Sequence, residues 1–271
     1  MKSHSLDSPV IVYRPGFEHR AGLLSEQTGL PCQALTEAEG FQGLVLLVDE
    51  QGLALQLLGP GAPGPVRCDF SAGAARHRRL FGGGKGQDIA KAVGLGQKGF
   101  RPRLLDLTAG LGRDGFVLAS LGAHVTLVER HPVVYALLRD GLDRAGQQAV
   151  EQGDVSLQEI LQRIETRQGD GSEFLAGLPQ DQSPDVIFLD PMFPPREKSG
   201  KVKKEMQLFH QLVGAAGPDA DQMLALALER AVYRVVVKRP SHAPFLGDRK
   251  PAFSLKGKST RFDVYTLKKL P

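Results

Sequence analysis

The chain has no tryptophan, four tyrosines and only two cysteines in 271 residues. Two thiols, Cys32 and Cys68, cannot build a disulfide framework, and neither stands in a Cys-x-x-Cys pair. They are expected to stay reduced in a cytoplasmic protein. The seven histidines show no ligand spacing; His77 and His131 read as surface or packing residues, and no metal site is expected. Long apolar stretches are missing as well. Runs such as Leu44 to Val48 fall far short of the ~20 residues that cross a bilayer. The opening MKSHSLDSP carries no apolar signal-peptide core, so no membrane association is expected. No serine sits in a Gly-x-Ser-x-Gly elbow. Gly-Gly-Gly-Lys at 82–85 lacks the spacing of a phosphate-binding P-loop.

What remains is an ordinary globular composition, 41% hydrophobic and 24% charged. The length suits one large domain or a domain with a small extension. Net charge is only +4, too little to name a partner, but it is unevenly spread. From Arg234 to Pro271 ten basic residues face only Asp248 and Asp263, a surplus of eight, and residues 1–233 carry −4.

Residues 10–14 read as a strand and 17–29 as a helix. Two apolar runs, 44–48 and 53–58, flank Asp49-Glu50-Gln51-Gly52, a hairpin signal. A Gly/Pro-rich loop follows at 59–65. We take 1–75 as a small α+β subdomain and 76–271 as the main domain. Beyond it, strands are expected at 103–108, 124–129, 164–170, 185–191, 234–240 and 262–269. Helices are expected at 113–121, 132–145, 155–163, 203–214 and 219–230. Apolar strands alternating with helices argue an α/β fold, a parallel sheet with helices on both faces.

The first of these strands runs into Asp106-Leu-Thr-Ala-Gly110-Leu-Gly112-Arg113-Asp114-Gly115. Gly110, Gly112 and Gly115 spell Gly-x-Gly-x-x-Gly between a strand and a helix. They let the backbone turn sharply and approach a ligand at a helix start. Dehydrogenases and methyltransferases share this pattern. An acidic residue four positions before the first glycine, Asp106, resembles the opening motif of S-adenosylmethionine-dependent methyltransferases. Asp114 either accepts from the cofactor's ammonium or favours the helix start. Glu129 ends the next strand, where an ionised carboxylate can accept from both ribose hydroxyls. Arg130 suits a 2′-phosphate in a dehydrogenase or the adenine in a methyltransferase. Asp170 can accept from the adenine amine or cap the helix that follows.

Asp190-Pro191-Met192-Phe193 comes straight after the apolar strand VIFL. It resembles the Asp/Asn/Ser-Pro-Pro-aromatic motif of methyltransferases acting on exocyclic amines, with Met192 in place of the second proline. An aryl amine is a weak nucleophile because its lone pair is delocalised into the ring. A carboxylate and a proline-fixed carbonyl can accept its two hydrogens and aim the lone pair, while Phe193 stacks on an unstacked base. The following PPREKSGKVKK supplies Arg196, Lys198, Lys201, Lys203 and Lys204 for a phosphate backbone. Lys238, Arg239 and Arg261 are expected on the same basic rim, and Lys85 either there or gating the cofactor pocket.

Taken together, LLDLTAGLGRDGF, VERHPVVYALLRDGL, VIFLDPMFPPREKSGKVKKEM, RVVVKRP and KGKSTRFDVY resemble the ribosomal RNA small subunit methyltransferase J family from about Phe81 to Tyr265. The resemblance implies a Rossmann-like methyltransferase sheet with a small amino-terminal subdomain. It implies methyl transfer from S-adenosyl-L-methionine to the N2 of a guanine in 16S rRNA, at position 1516 in the usual rRNA numbering. The substrate would be 16S rRNA or a small-subunit precursor, and the enzyme a monomer. The family's cofactor contacts fall on Arg113-Asp114, Glu129-Arg130, Asp170-Gly171 and Asp190. Two other readings share parts of the pattern. A nicotinamide-dependent oxidoreductase would use the glycine loop and Glu129 but leaves DPMF and the basic loop unexplained. A non-catalytic RNA-binding assembly protein would leave an intact DPMF without a purpose.

Overall fold

The computed structural model describes residues 9–38, 40–73, 79, 84–192, 208, 212–213 and 219–271. They form two compact units. Over the described residues, one comprises 9–69, 131–144 and a few positions between 194 and 215; the other comprises 70–130, 145–192 and 219–271.

The first unit is built on a four-stranded sheet of order β2-β1-β3-β4, with β1 at Val10–Tyr13, β2 at Cys32–Ala34, β3 at Gly43–Asp49 and β4 at Gly52–Leu58. β1 runs parallel to both its neighbours, and β3 and β4 form the expected hairpin, Asp49 opposite Gly52. Gly52 takes φ 98°, a conformation open to glycine, and Asp49 accepts from the Gln51 backbone N–H at 2.9 Å. Helix α1 (Glu18–Thr28) ends at Gly29 in the left-handed region. Asp140 is the buried anchor here. Its carboxylate takes the backbone N–H of Leu53 at 3.1 Å, the Arg144 guanidinium at 2.8 Å and Arg20. Such a charge is tolerable inside only when paired and hydrogen-bonded in this way. β2 was not foreseen: three residues with no apolar periodicity give no strand signal.

The second unit carries the main sheet, of order β10-β11-β9-β8-β5-β6-β7. The strands are β5 (Arg103–Asp106), β6 (His124–Glu129), β7 (Ile164–Gln168), β8 (Val186–Leu189), β9 (Arg234–Pro240), β10 (Phe253–Lys256) and β11 (Thr260–Thr266). β5 to β9 are parallel. β8 is buried along its whole length, which explains its unbroken apolar sequence. The short helix α2 (Asp88–Val93) precedes the sheet; α3 (Arg113–Ser120), α4 (Pro132–Glu151), α5 (Val155–Leu161), α6 (Gly171–Gly177) and α7 (Asp219–Arg230) follow in chain order. One core joins Leu105, Val128, Ile187, Leu189, Val235 and Val237 of the sheet to Leu175 of α6 and Leu224 of α7.

The alternating pattern predicts a parallel sheet with helices on both faces. The structure corrects that: β11 is antiparallel to β9, and β10 to β11. No α-helix lies between β9 and β11 to carry the chain back over the sheet, so the chain returns by a hairpin instead. α4 also runs six residues past the expected Ala145. Gly146 suggested a stop, but Ala145 and Ala149 stay buried across it. The expected helix at 203–214 lies almost wholly outside the described residues.

Candidate active site

From β5 the chain winds one way across the sheet to β6 and β7; from β8 it winds the other way to β9. The crevice beyond the carboxyl ends of β5 and β8 is therefore a topological switch point, where open α/β sheets bind ligands. Asp106 ends β5, Glu129 ends β6 and Asp190 directly follows β8, so three of the expected carboxylates meet at this edge. The ends are laced together. The Thr108 hydroxyl accepts from the Asp190 backbone N–H at 2.6 Å, and Asp106 Oδ1 accepts from the Thr108 N–H at 3.0 Å. Glu129 Oε2 accepts from the Gly110 N–H at 2.8 Å, tying the glycine loop to the second strand.

Gly110 (φ 54°) and Gly112 (φ 67°) both occupy the left-handed region. A Cβ on Gly110 would meet no described atom within 4 Å, so the backbone there faces open room. Gly115 has a different reason to be glycine: a Cβ would come within 2.4 Å of Leu127, so α3 lies directly on β6. Arg113 and Arg130 are exposed beside the loop. Asp170 caps α6, its Oδ1 accepting from the backbone N–H groups of Ser172 (2.8 Å) and Glu173 (3.1 Å). Next to it, Gly171 packs so closely that a Cβ would lie 2.6 Å from the Leu107 carbonyl oxygen. Pro191 and Met192 follow Asp190 half-buried, whereas Phe193, Arg196, Lys198, Lys201, Lys203 and Lys204 lie outside the described residues.

Three of the cations expected on an RNA rim are placed elsewhere. Lys238 Nζ donates to Asp114 Oδ2 at 2.6 Å and to Asp190 Oδ2 at 2.7 Å, making it the centre of the site. Arg261 is 5% exposed; it clamps Asp263 through two nitrogens at 2.7 and 2.8 Å and lies 4.9 Å over the Phe245 ring. Arg239 is buried and donates to the Pro244 carbonyl oxygen. The physical reason is position within the sheet: β9 and β11 are interior strands, so charged residues near their ends turn into packed surroundings rather than to solvent. Only Lys85 among the four stays on a partly exposed turn, at Gly84–Gly86.

The electrostatics follow from three carboxylates around one ammonium. Burial pushes Asp106 up to about 8; the Thr108 N–H and Lys238 oppose this, while Asp114 and Asp190 add to it. Burial also raises Asp190, and Lys238 pulls it back toward the ionised form. Burial alone would lower Lys238, but Asp190 and Asp114 outweigh it and hold the ammonium well above the usual lysine range. A surplus of negative charge in a crevice floored by glycine backbone suits a cationic ligand. S-adenosyl-L-methionine, with its sulfonium and ammonium, fits that donor set. Asp106, Gly110, Gly112 and Asp114 would hold its amino-acid end and Glu129 its ribose.

Asp106 gives a stability signature. Its carboxyl is raised in the folded chain, so its protonated form is favoured there and stability is lost as pH rises toward 8. At about 1.4 kcal/mol per pH step, this one group is expected to cost between about 3 and 4 kcal/mol from pH 5 to pH 8. Asp106→Asn keeps an acceptor for the Thr108 N–H and should flatten that slope. Urea unfolding of both proteins at the two pH values checks it; parallel slopes would disprove the assignment.

A depression at the opposite, amino-terminal end of the strands is lined by Arg103, His124 and Arg163. Among the described residues it gathers no comparable cluster: Arg103 pairs with Asp185 and Arg163 with Glu159.

Comparison with known proteins agrees with this geometry. Residues 31–267 match the family described as "Putative SAM-dependent methyltransferase". The ribosomal RNA small subunit methyltransferase J of Cellvibrio japonicus is 53% identical over 96% of this chain and 98% of its own length. Its counterpart in Stutzerimonas stutzeri is 53% identical over 94% of each chain. A crystal structure of a SAM-dependent methyltransferase from Neisseria gonorrhoeae, 37% identical, superposes with a TM-score of 0.70 over 95% of this chain and 96% of that one. With half its residues shared and both chains spanned almost end to end, the chain belongs to the ribosomal RNA small subunit methyltransferase J family of SAM-dependent methyltransferases.

Proposed function

We propose that this protein transfers a methyl group from S-adenosyl-L-methionine to the exocyclic N2 of a guanine in 16S rRNA, at the position the family resemblance implies. The observation that carries the reading is Asp190-Pro191 at the end of β8, with the Asp190 carboxylate held by Lys238 and its backbone held by Thr108. The cofactor supplies an electrophilic methyl group on a sulfonium. Everything else is positioning by the chain. Asp190 and the Pro191 carbonyl accept the two amine hydrogens, which localises the nitrogen lone pair and points it along the approach to the methyl group. Asp190 is also placed to take the proton the nitrogen sheds once the new N–C bond forms. Lys238 draws that carboxylate toward its ionised form against the burial that raises it. Phe193 stacks on the base, and Arg130, Asp170 and Gly171 complete the adenosine end.

The same proposal includes a working monomer in the cytoplasm, with 1–75 as an amino-terminal subdomain and 76–271 as the catalytic domain. No helix among the described residues is long and apolar enough to cross a membrane. A nicotinamide-dependent dehydrogenase would have no use for Asp190 and Lys238 as they are arranged here.

Purified protein, labelled S-adenosyl-L-methionine and either undermethylated 16S rRNA or the small-subunit particle test the reading. Nucleoside mass spectrometry should show N2-methylguanosine and no methylated adenosine. Transfer to adenine N6, or none to either substrate, would overturn it.

A further inference from the structure

With Lys238, Arg239 and Arg261 committed to internal partners, an RNA strand at this edge calls for other cations among the described residues. The topology supplies them. β11 begins where β9 ends, Thr260 opposite Pro240 and Arg261 opposite Arg239, and β10 ends opposite the same point, Lys256 facing Arg261. The β10–β11 tip, Gly257 to Ser259, therefore lies at the same end of the sheet as Asp190. Two strand spacings of about 4.8 Å put Lys256 roughly 10 Å along the sheet from Arg239, the neighbour of Lys238.

The tip is held in shape. Gly257 N–H donates to the Thr260 carbonyl at 2.8 Å, and Ser241 N–H donates to the Ser259 carbonyl at 3.0 Å. Lys256 and Lys258 are both exposed, and neither has an ion-pair partner among the described residues. Lys85 belongs to the same patch: a Cβ on Gly257 would lie 3.8 Å from Asp88 Oδ2, three residues after Lys85. The two nearby carboxylates do not cancel it. Asp263 is buried and taken by Arg261 and Ser254, and Asp88 faces Lys91 at 4.0 Å.

We propose that the β10–β11 tip, through Lys256 and Lys258 with Lys85 beside them, grips the phosphodiester backbone of the target RNA next to the base that enters at Asp190. The proposal rests on the RNA-methylating reading above and deepens it. Lysines on phosphates carry little sequence information, so this contact positions the strand and leaves choice of base to the crevice.

The test compares two double variants that remove equal charge from opposite ends of the same strand. Lys256→Ala/Lys258→Ala strips the tip. Lys268→Ala/Lys269→Ala lies just past the far end of β11, where Thr266 pairs with Arg234. Binding to undermethylated 16S rRNA is titrated over a range of salt. The tip variant is expected to bind about tenfold more weakly at 0.1 M salt. Its plot of log affinity against log salt should flatten by about 1.4, from 0.7 per phosphate released on a single strand. The far-end variant should stay within twofold of wild type in both, and Lys256→Arg/Lys258→Arg should restore the slope. Unchanged S-adenosyl-L-methionine affinity shows that the variants are folded. Equal losses in the two double variants, or none in the tip variant, would overturn the proposal. A wild type that binds RNA but transfers no methyl group would instead sink the catalytic reading, and the same titration would still decide the tip. A wild type that does not bind this RNA at all would overturn both.

Discussion

Asp190→Asn is expected to lower kcat by two to three orders of magnitude while leaving KM for RNA within a few-fold. The side chain keeps its size but loses the charge that polarises the target amine and pairs with Lys238 at 2.7 Å. An aryl amine attacks only when its lone pair is localised, so most of the loss should fall on the chemical step. Removing one preorganised polar partner from a transition state typically costs about 2.7–4 kcal/mol, or 10²–10³ in rate. Single-turnover methyl transfer separates this from slow product release. A rate within fivefold of wild type would remove Asp190 from the reaction.

Lys238→Met should reduce kcat by about 10² near neutral pH and change the shape of the pH profile as well as its height. Four charged groups bear on the Asp190 carboxyl: Lys238 and Arg239 favour its ionised form, and Asp114 opposes it, on top of the burial that raises it most; Asp106 lies in the same cluster. Taking away the ammonium leaves burial and Asp114 with less opposition, so the Asp190 carboxyl rises. Because the ionised form does the work, the acid limb of kcat should move to higher pH by about one unit or more, and part of the activity should return at pH 9. Lys238→Arg, which keeps the charge, should restore most of the wild-type profile. A variant whose activity falls by the same factor at every pH would mark Lys238 as a packing residue only.

The difference between what could be read from the sequence and what could not is one of contact across strands. VIFL and the Leu-Leu-Asp of RLLD announce buried parallel strands because these residues all meet a packed face. Asp106, Glu129 and Asp190 could be placed because each stands at the end of such a strand, and strand ends share an edge. Lys238 defeated the same reasoning. A basic residue near a strand end reads as solvent-facing, and its true position depends on register: Leu189 lies opposite Val237, so Asp190 and Lys238 are next in line. No local pattern encodes that pairing. Arg261 was misplaced for a related reason, because its partner Asp263 sits two residues along the same strand and side chains at that spacing share one face. β10 was missed because Phe253–Lys256 is a four-residue edge strand with no alternation strong enough to separate it from a loop.

The carboxyl of Asp106, poised near 8 beside two others, makes the crevice a proton reservoir. A cation settling there would stabilise the ionised form, so loading a cationic methyl donor and releasing a proton would be one linked equilibrium. By the same linkage the affinity for the donor climbs with pH. A carrier that has lost its sulfonium carries one positive charge fewer and would stabilise the ionised form less. The crevice would then tell fresh carrier from used by charge rather than by shape.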